Sequence, residues 1–240
     1  LAADNAWWQD LRENGPASTL AGFFDVDWRP PAEYLANRVL LPILGDHYGV
    51  ELASGRLALG FDHASGAFAV HYHAHRLPID PREYPRILGA AVQELEAAGE
   101  EAAHAAQALR SIVGAAAKLP RRDERRQALV DERNLQKEVL KGRLASLARS
   151  SPAVSHAIAR AVEALNGRPD EPGSFDALHE LLEAQPYRVA FWRVASDDIN
   201  YRRFFDINDL AALRQENDAV FETTHRLVLK LVNEGLVDAL

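Results

Sequence analysis

The chain has 240 residues and a net charge of −8. That acidic balance argues against bulk nucleic-acid binding, which needs cations to displace counterions from phosphates, and against docking on an anionic membrane surface. It has no cysteine, which excludes disulfides and thiolate metal sites, and no apolar run of membrane-spanning length.

Residues 1–55 read as irregular, aromatic-rich loops, because Pro, Gly and Asn punctuate "NGPAS", "FFDVDWRPP" and "LPILGDHYG". The opening "LAADNAWWQD" has neither a basic region nor an apolar signal core, so the default expectation is the cytoplasm. Residues 56–80 predict an antiparallel hairpin. Leu57, Leu59 and Phe61 alternate, as do Phe68, Val70 and Tyr72, on either side of the polar loop "DHASG". His71, His73 and His75 also alternate, and on one strand they would share a face. With no carboxylate in the run they read as the exposed side of the hairpin, and no metal is expected.

Residues 81–186 predict a helical region. Asp80, Pro81 and Glu83 have the spacing of a helix start, followed by an apolar stripe of Ile87, Leu88, Ala91, Val92 and Leu95, with a break near Gly99. A long helix is expected over Arg122 to Ala148, burying Leu129, Val139, Leu140, Leu144 and Leu147, with "RRDERRQ" as a solvated face. Ser151 and Pro152 open another helix, which Asn166-Gly167 closes. Ser174 caps a shorter one ending before Pro186.

Residues 187–240 read as an extended segment, "YRVAFWRVA", then a long helix over "NDLAALRQENDAVFETTHRLVLKLVNEG" that buries Leu210, Leu213, Phe221, Leu227, Val228 and Leu231. The apolar start of a strand, "LVDAL", follows. That ending and the absence of methionine lead to the expectation that the chain is a piece of a longer protein.

Between these elements, "SDDINYRRFFDINDL" fits neither helix nor strand periodicity. Asp197 and Asp198 are adjacent carboxylates, and paired carboxylates are the means of glycosidic chemistry. Tyr201, Phe204 and Phe205 flank Arg202 and Arg203, with Asp198, Asn200, Asp206 and Asn208 around them. Aromatic faces beside forked hydrogen-bonding groups suit a sugar; the same set suits a buried structural network. No phosphate loop, dinucleotide fingerprint or nucleophile elbow occurs, and no cofactor is expected.

The stretch "YRVAFWRVASDDINYRRFFDINDLAALRQE" closely resembles the maltooligosyltrehalose synthase family of the α-amylase superfamily. So, in order, do "WWQDLRENGPAS", "FFDVDW", "RVLLPILGDHYG", "HRLPIDP", "SPAVSHAIARAVEALNG" and "SFDALHELLEAQPYR". The resemblance implies a mainly α insertion subdomain, with a small antiparallel β sheet, of a (β/α)8-barrel enzyme, lying between the third and fourth barrel strands. It implies an isomerase that converts the reducing-end α-1,4 linkage of a maltooligosaccharide to an α,α-1,1 linkage, in trehalose biosynthesis. The family's catalytic carboxylates lie outside the motifs present here. The implied partners are a maltooligosaccharide, the rest of the barrel, and functionally a maltooligosyltrehalose trehalohydrolase; neither nucleic acid nor membrane is among them. Expected sugar contacts are Tyr201, Arg202, Arg203 and Asn200, with Asp198 and Asp206 orienting the arginines and Trp7, Trp8 and His75 at the rim. The alternatives are a non-catalytic helical interaction module and another α-glucan-active enzyme of the superfamily.

Overall fold

The computed structural model describes residues 5–171 and 173–237, without the side chains of Glu101, Asp197 and Asp209. The first segment is more regular than its punctuation suggests. The Asn5 side chain accepts a hydrogen bond from Trp7 N at 2.9 Å and starts helix α1 (Ala6–Asn14), which Gly15 ends at φ 56°. After short 3-10 turns come strand β1 (Val39–Leu44) and helix α2 (Tyr48–Ala53). Pro42 inside β1 hid the strand from the sequence reading. It has no N–H to give a ladder, and the register shifts between Pro42 and Leu44.

The expected hairpin forms from β2 (Ala58–Asp62) and β3 (Ala67–Tyr72), and a third strand, β4 (His75–Pro78), adds to it antiparallel. Leu57, Leu59, Phe68, Val70 and Tyr72 are buried as the alternation requires, with Phe61 packed against them. The third strand changes the histidine reading. The chain turns at His73 (φ 50°), so His71 lies opposite Arg76 and His75 opposite Tyr72, and the three imidazoles share no strand face.

Asp80 caps as expected, accepting from Arg82 N at 2.8 Å, but it starts a 3-10 turn (Pro81–Glu83) that runs into α3 (Tyr84–Ala97). The whole predicted stripe of α3 is buried. Gly99, at φ 82°, breaks the chain before α4 (Ala103–Lys118). Helix α5 (Gln127–Ser150) begins later than expected. Arg122 lies in the preceding connection, half-buried and donating to the Ala184 carbonyl, so "RRDERRQ" is not simply a solvated helix face. Val139 is exposed. Arg133 and Lys137, which lie beyond that stretch, are buried.

Their burial has an electrostatic cause. Arg133, Lys137 and Lys141 recur every four residues and so share one face of α5. Arg133 donates to Asp80 Oδ1 and to the Pro120 carbonyl, both at 2.6 Å. Lys137 reaches Asp10 at 2.6 Å and Glu13 at 3.0 Å, and Lys141 reaches Glu13 at 3.1 Å. This charged seam clamps α5 onto α1 where an apolar stripe would ordinarily do so.

Helix α6 (Pro152–Leu165) has the predicted Ser151 cap and Gly167 stop, and buries Val154, Ile158 and Leu165. Its C-cap Asn166 acts like a strand neighbour: Oδ1 accepts from Leu59 N at 2.6 Å and Nδ2 donates to Leu59 O at 2.9 Å. Helix α7 (Asp176–Glu183) has Phe175 at its N-cap position and no side-chain cap, because the expected cap, the Ser174 hydroxyl, bonds Arg168 N and O in the preceding loop. Strand β5 (Tyr187–Phe191) pairs in parallel with β1 from Val39↔Tyr187 onward, bringing an early and a late segment of the chain together.

After β5 come the short helix α8 (Ala195–Asp198) and a two-strand ribbon, β6 (Arg203–Phe204) and β7 (Ile207–Ala211). The long helix expected from Asn208 is therefore split. Leu210 lies on β7, Leu213 bridges to Phe24, and only α9 (Asp218–Asn233) is helical. Along α9 Val220 is buried, while Phe221, Leu227 and Val228 are exposed, contrary to the expected stripe. Leu236 and Val237 form a bend, and the remainder of the expected final strand lies outside the described residues. The architecture is thus mainly helical with small sheets, one of them parallel. No helix among the described residues is long and apolar enough to cross a membrane.

Candidate functional site

The polar-aromatic segment meets the N-terminal "FFDVDW" segment along a run of backbone bonds. Asp27 N donates to Asn200 O, Arg202 N to Asp25 O and Arg214 N to Phe23 O, at 2.8–2.9 Å. Bridges Val26↔Tyr201 and Phe24↔Leu213 complete the seam. Trp8, 3% exposed, packs behind it with ring centroids 4.9 Å from Phe24 and 5.3 Å from Tyr201.

On the outer side of this seam is an open cleft of about 450 Å³. Asp25, Asp27, Pro30 and Pro31 form one wall; Asp198, Asn200, Tyr201 and Arg202 form the other. Exposed Arg202 pairs with Asp25 at 2.5 Å and Glu216 at 3.2 Å, and Asp25 also holds Arg214 at 2.7 Å. The hydrogen bond from Arg214, reinforced by Arg202, keeps the Asp25 carboxyl below the ordinary aspartate range. Asp198 accepts from the Tyr34 hydroxyl at 3.0 Å. Burial, and then this bond to a carboxylate, push the Tyr34 hydroxyl above the ordinary tyrosine range.

The cleft brings together four of the expected residues: Asp198, Asn200, Tyr201 and Arg202. Their roles differ from those expected. Asn200, 7% exposed, accepts from Leu40 N at 2.9 Å and donates to Asp27 O and Arg38 O at 2.9 and 2.8 Å. With its amide tied to backbone on both sides, it is a clamp rather than a free hydrogen bonder. The Tyr201 hydroxyl donates to Asn208 O at 2.7 Å. Asp198 orients Tyr34 rather than an arginine; Asp25 and Glu216 orient Arg202.

Arg203 and Asp206 fall outside the cleft. Arg203 bonds Asn208 Oδ1 and pairs with Asp206 at 2.9 Å, stapling the β6–β7 turn in which Phe205 takes φ 50°. Trp7 packs edge-on against Phe23, Trp8 is core, and His75 stacks near Tyr72 on the three-stranded sheet, so none of these three lines the cleft. The Asp197 side chain lies outside the described residues. Sequence reasoning missed Asp25, Asp27, Tyr34 and the Pro30-Pro31 wall. The signal for Asp25, Asp27 and the prolines was the density of aspartate and aromatics in "FFDVDWRPP"; Tyr34 lies just beyond that stretch. Among the described residues no group of His, Asp and Glu is placed to hold a metal ion.

In chemical terms, the cleft offers carboxylates, a guanidinium and the C–H faces of two prolines. That mixture can bond hydroxyls while packing against a ring's apolar face.

No family model matches the chain. Two Mycobacterium tuberculosis proteins, of strains CDC 1551 / Oshkosh and ATCC 25618 / H37Rv, carry the name maltooligosyl trehalose synthase. Each is 45% identical to this chain over 71 residues, which is 29% of this chain and 9% of the relative. Among solved structures, maltooligosyltrehalose synthase from Arthrobacter ramosus aligns with 98% of this chain and 17% of its own, at 25% identity and a TM-score of 0.47. A protein described as DSM5389 glycosyltrehalose synthase aligns with 93% of this chain and 18% of its own, at 18% identity and a TM-score of 0.47. The stretch matched by sequence thus spans about a tenth of the curated relatives' length, and over it the chain is similar to the maltooligosyltrehalose synthase family.

Proposed function

We propose that this chain is the insertion subdomain of a (β/α)8-barrel enzyme of the maltooligosyltrehalose synthase type, and that its cleft beside Asp198–Arg202 helps hold the glucose unit being transferred. The observation that carries this reading is the 45% identity over 71 residues to proteins of that name. The composition of the cleft supports it. A volume of about 450 Å³ suits a small molecule, and its mixed polar and C–H lining suits a sugar.

The reaction balances without an external reactant. A carboxylate elsewhere in the enzyme attacks the anomeric carbon at the reducing-end α-1,4 bond. A carboxylic acid donates its proton to the departing O4, and glucose is released beside a glycosyl-enzyme ester. The glucose then turns, and its anomeric hydroxyl attacks the same carbon, breaking the ester bond and releasing the enzyme carboxylate. The carboxylate that lost its proton accepts one from that hydroxyl, and an α,α-1,1 bond forms. Water attack in place of glucose gives hydrolysis, so yield depends on keeping the glucose close and water out. In this chain Arg202, held by Asp25 and Glu216, is the exposed cation at the cleft able to donate to sugar hydroxyls. Asp27 and Asp198 supply acceptors.

The test is to incubate the full-length protein with maltopentaose. A fall in reducing ends with little free glucose, and a non-reducing trehalose-ended product, supports the proposal. Glucose and shorter chains assign it to another α-glucan-active enzyme, and no turnover removes the enzymatic reading. A second reading, a helical interaction module, is favoured by α9, where Leu227 is 68% and Val228 53% exposed. Under that reading no maltodextrin would be consumed.

A further inference from the structure

Away from the cleft, on the other side of the loop at 36–38, lies a polar pocket of about 310 Å³. The backbone of Arg38 faces the cleft's Asn200, while its side chain lines this pocket. The carboxylates in the wall are all engaged by arginines. Asp80 is held by Arg133 at 2.6 Å, Glu83 by Arg86 at 2.7 Å, Asp123 by Arg121 at 3.0 Å, and Glu183 by Arg38 and Arg188 at 3.3 and 3.1 Å.

Two wall guanidiniums remain, Arg82 and Arg122. Each donates one N–H to a backbone carbonyl, Leu119 O and Ala184 O respectively, and among the described residues neither forms an ion pair. A guanidinium carries five donors, so each has N–H groups beyond the one its carbonyl takes. Arg122 is pushed below the ordinary arginine range by burial, and the nearby Arg38 and Arg133 add to this against the opposing Asp80 and Glu83. The lining carries as many arginines as carboxylates, but Asp80 and Glu83 are held by Arg133 and Arg86 from outside it, which leaves Arg82 and Arg122 without a counter-charge of their own in the wall.

We propose that this pocket binds a phosphoryl group, held by Arg82 and Arg122, with Arg38 and Arg121 also in its lining. A tetrahedral dianion offers oxygens to two forks at once, whereas a carboxylate matches one. The volume leaves room for a small body such as a sugar on the phosphate. The proposal is independent of the cleft's role.

The experiment is calorimetric titration of the full chain with inorganic phosphate and, separately, glucose 6-phosphate. Glucose, and KCl at matched ionic strength, serve as controls. Saturable binding at about one equivalent is expected, with a Kd of about 1 mM or tighter, and none for glucose. Arg82→Gln or Arg122→Gln weakens it about tenfold or more, the worth of one charged hydrogen bond. Arg122 also holds the Ala184 carbonyl, so a variant at an exposed position guards against misfolding: Asp123→Asn releases Arg121 and tightens binding. Equal affinities assign the site to the phosphoryl group alone, and tighter glucose 6-phosphate binding to an esterified one; both support the proposal. Absence of saturable heat, the same heat from KCl as from phosphate, or affinity unmoved in the Asp123→Asn protein would overturn it.

Discussion

Replacing Asn200 by alanine separates a structural clamp from a sugar contact. The amide holds three backbone groups from two other segments: Leu40 N, Asp27 O and Arg38 O. In the variant the buried Leu40 N–H is left without its acceptor. An orphaned buried donor costs about 1–3 kcal/mol. The two carbonyls are partly accessible, so water replaces much of what they lose, adding about 1 kcal/mol between them. The total is about 2–4 kcal/mol, and for a chain of this size each kcal/mol lowers Tm by about 2–4 °C. Calorimetric melting of wild type and Asn200→Ala should therefore differ by about 5–15 °C. Asn200→Asp should also destabilise, because it keeps an acceptor for Leu40 N but turns an oxygen toward two carbonyls. A Tm unchanged within about 1 °C for Asn200→Ala, with weaker sugar binding, would refute the clamp and restore Asn200 as a ligand contact.

Breaking the buried Arg133–Asp80 pair by Arg133→Met should cost about 3–5 kcal/mol in urea unfolding, because it strands a buried carboxylate; a loss below about 1 kcal/mol would contradict the seam between α5 and the rest of the fold. Burial raises the pKa of Glu13, but Lys137 and Lys141 outweigh it and hold the carboxyl below its ordinary value. Its stabilisation is therefore fully present above the unfolded value of 4.5 and is lost as pH falls through the lower, folded value. Melting from neutral pH down into that window should show a shallower acid slope for Glu13→Gln than for wild type, and identical slopes would contradict the assignment. Gly66, at φ 71°, lies against the Lys141 carbonyl and Ala145 N of α5 with no room for a Cβ. Gly66→Ala should cost more than the ~1 kcal/mol of the backbone conformation alone, read from the urea midpoint.

Much of the fold was legible because local periodicity and burial coincide. The β2–β3 alternation, the α3 stripe and the Ser151-to-Gly167 span of α6 each carry their own start, face and stop. The misreadings arise where distant partners decide. Strand β1 contains Pro42 and is a strand because β5, far along the chain, pairs with it. "INDLA" is extended because β6 and the Phe23–Asp27 segment give its neighbourhood backbone partners, overriding the helix-forming leucines and alanines. The buried charges of α5 went unread because nothing local announces Asp10, Glu13 and Asp80 on the other side.

The candidate site was half legible for the same reason. Its unusual composition marked the stretch near Asp198–Arg202. Which arginine faces outward, and which asparagine is held by backbone, depends on docking against residues 23–40. Arg203, the equal of Arg202 in sequence, is turned by the β6–β7 ribbon onto Asn208 and Asp206.

The central claim is that the Arg202 side of the cleft retains the released glucose. The direct measurement is the ratio of trehalose-ended product to free glucose from maltopentaose, compared for the full-length protein and its Arg202→Gln variant. The ratio should fall about three- to tenfold, the worth of one exposed hydrogen bond to the sugar, while total bond cleavage changes little. An unchanged ratio in Arg202→Gln, or the same fall in Arg203→Ala, would contradict it.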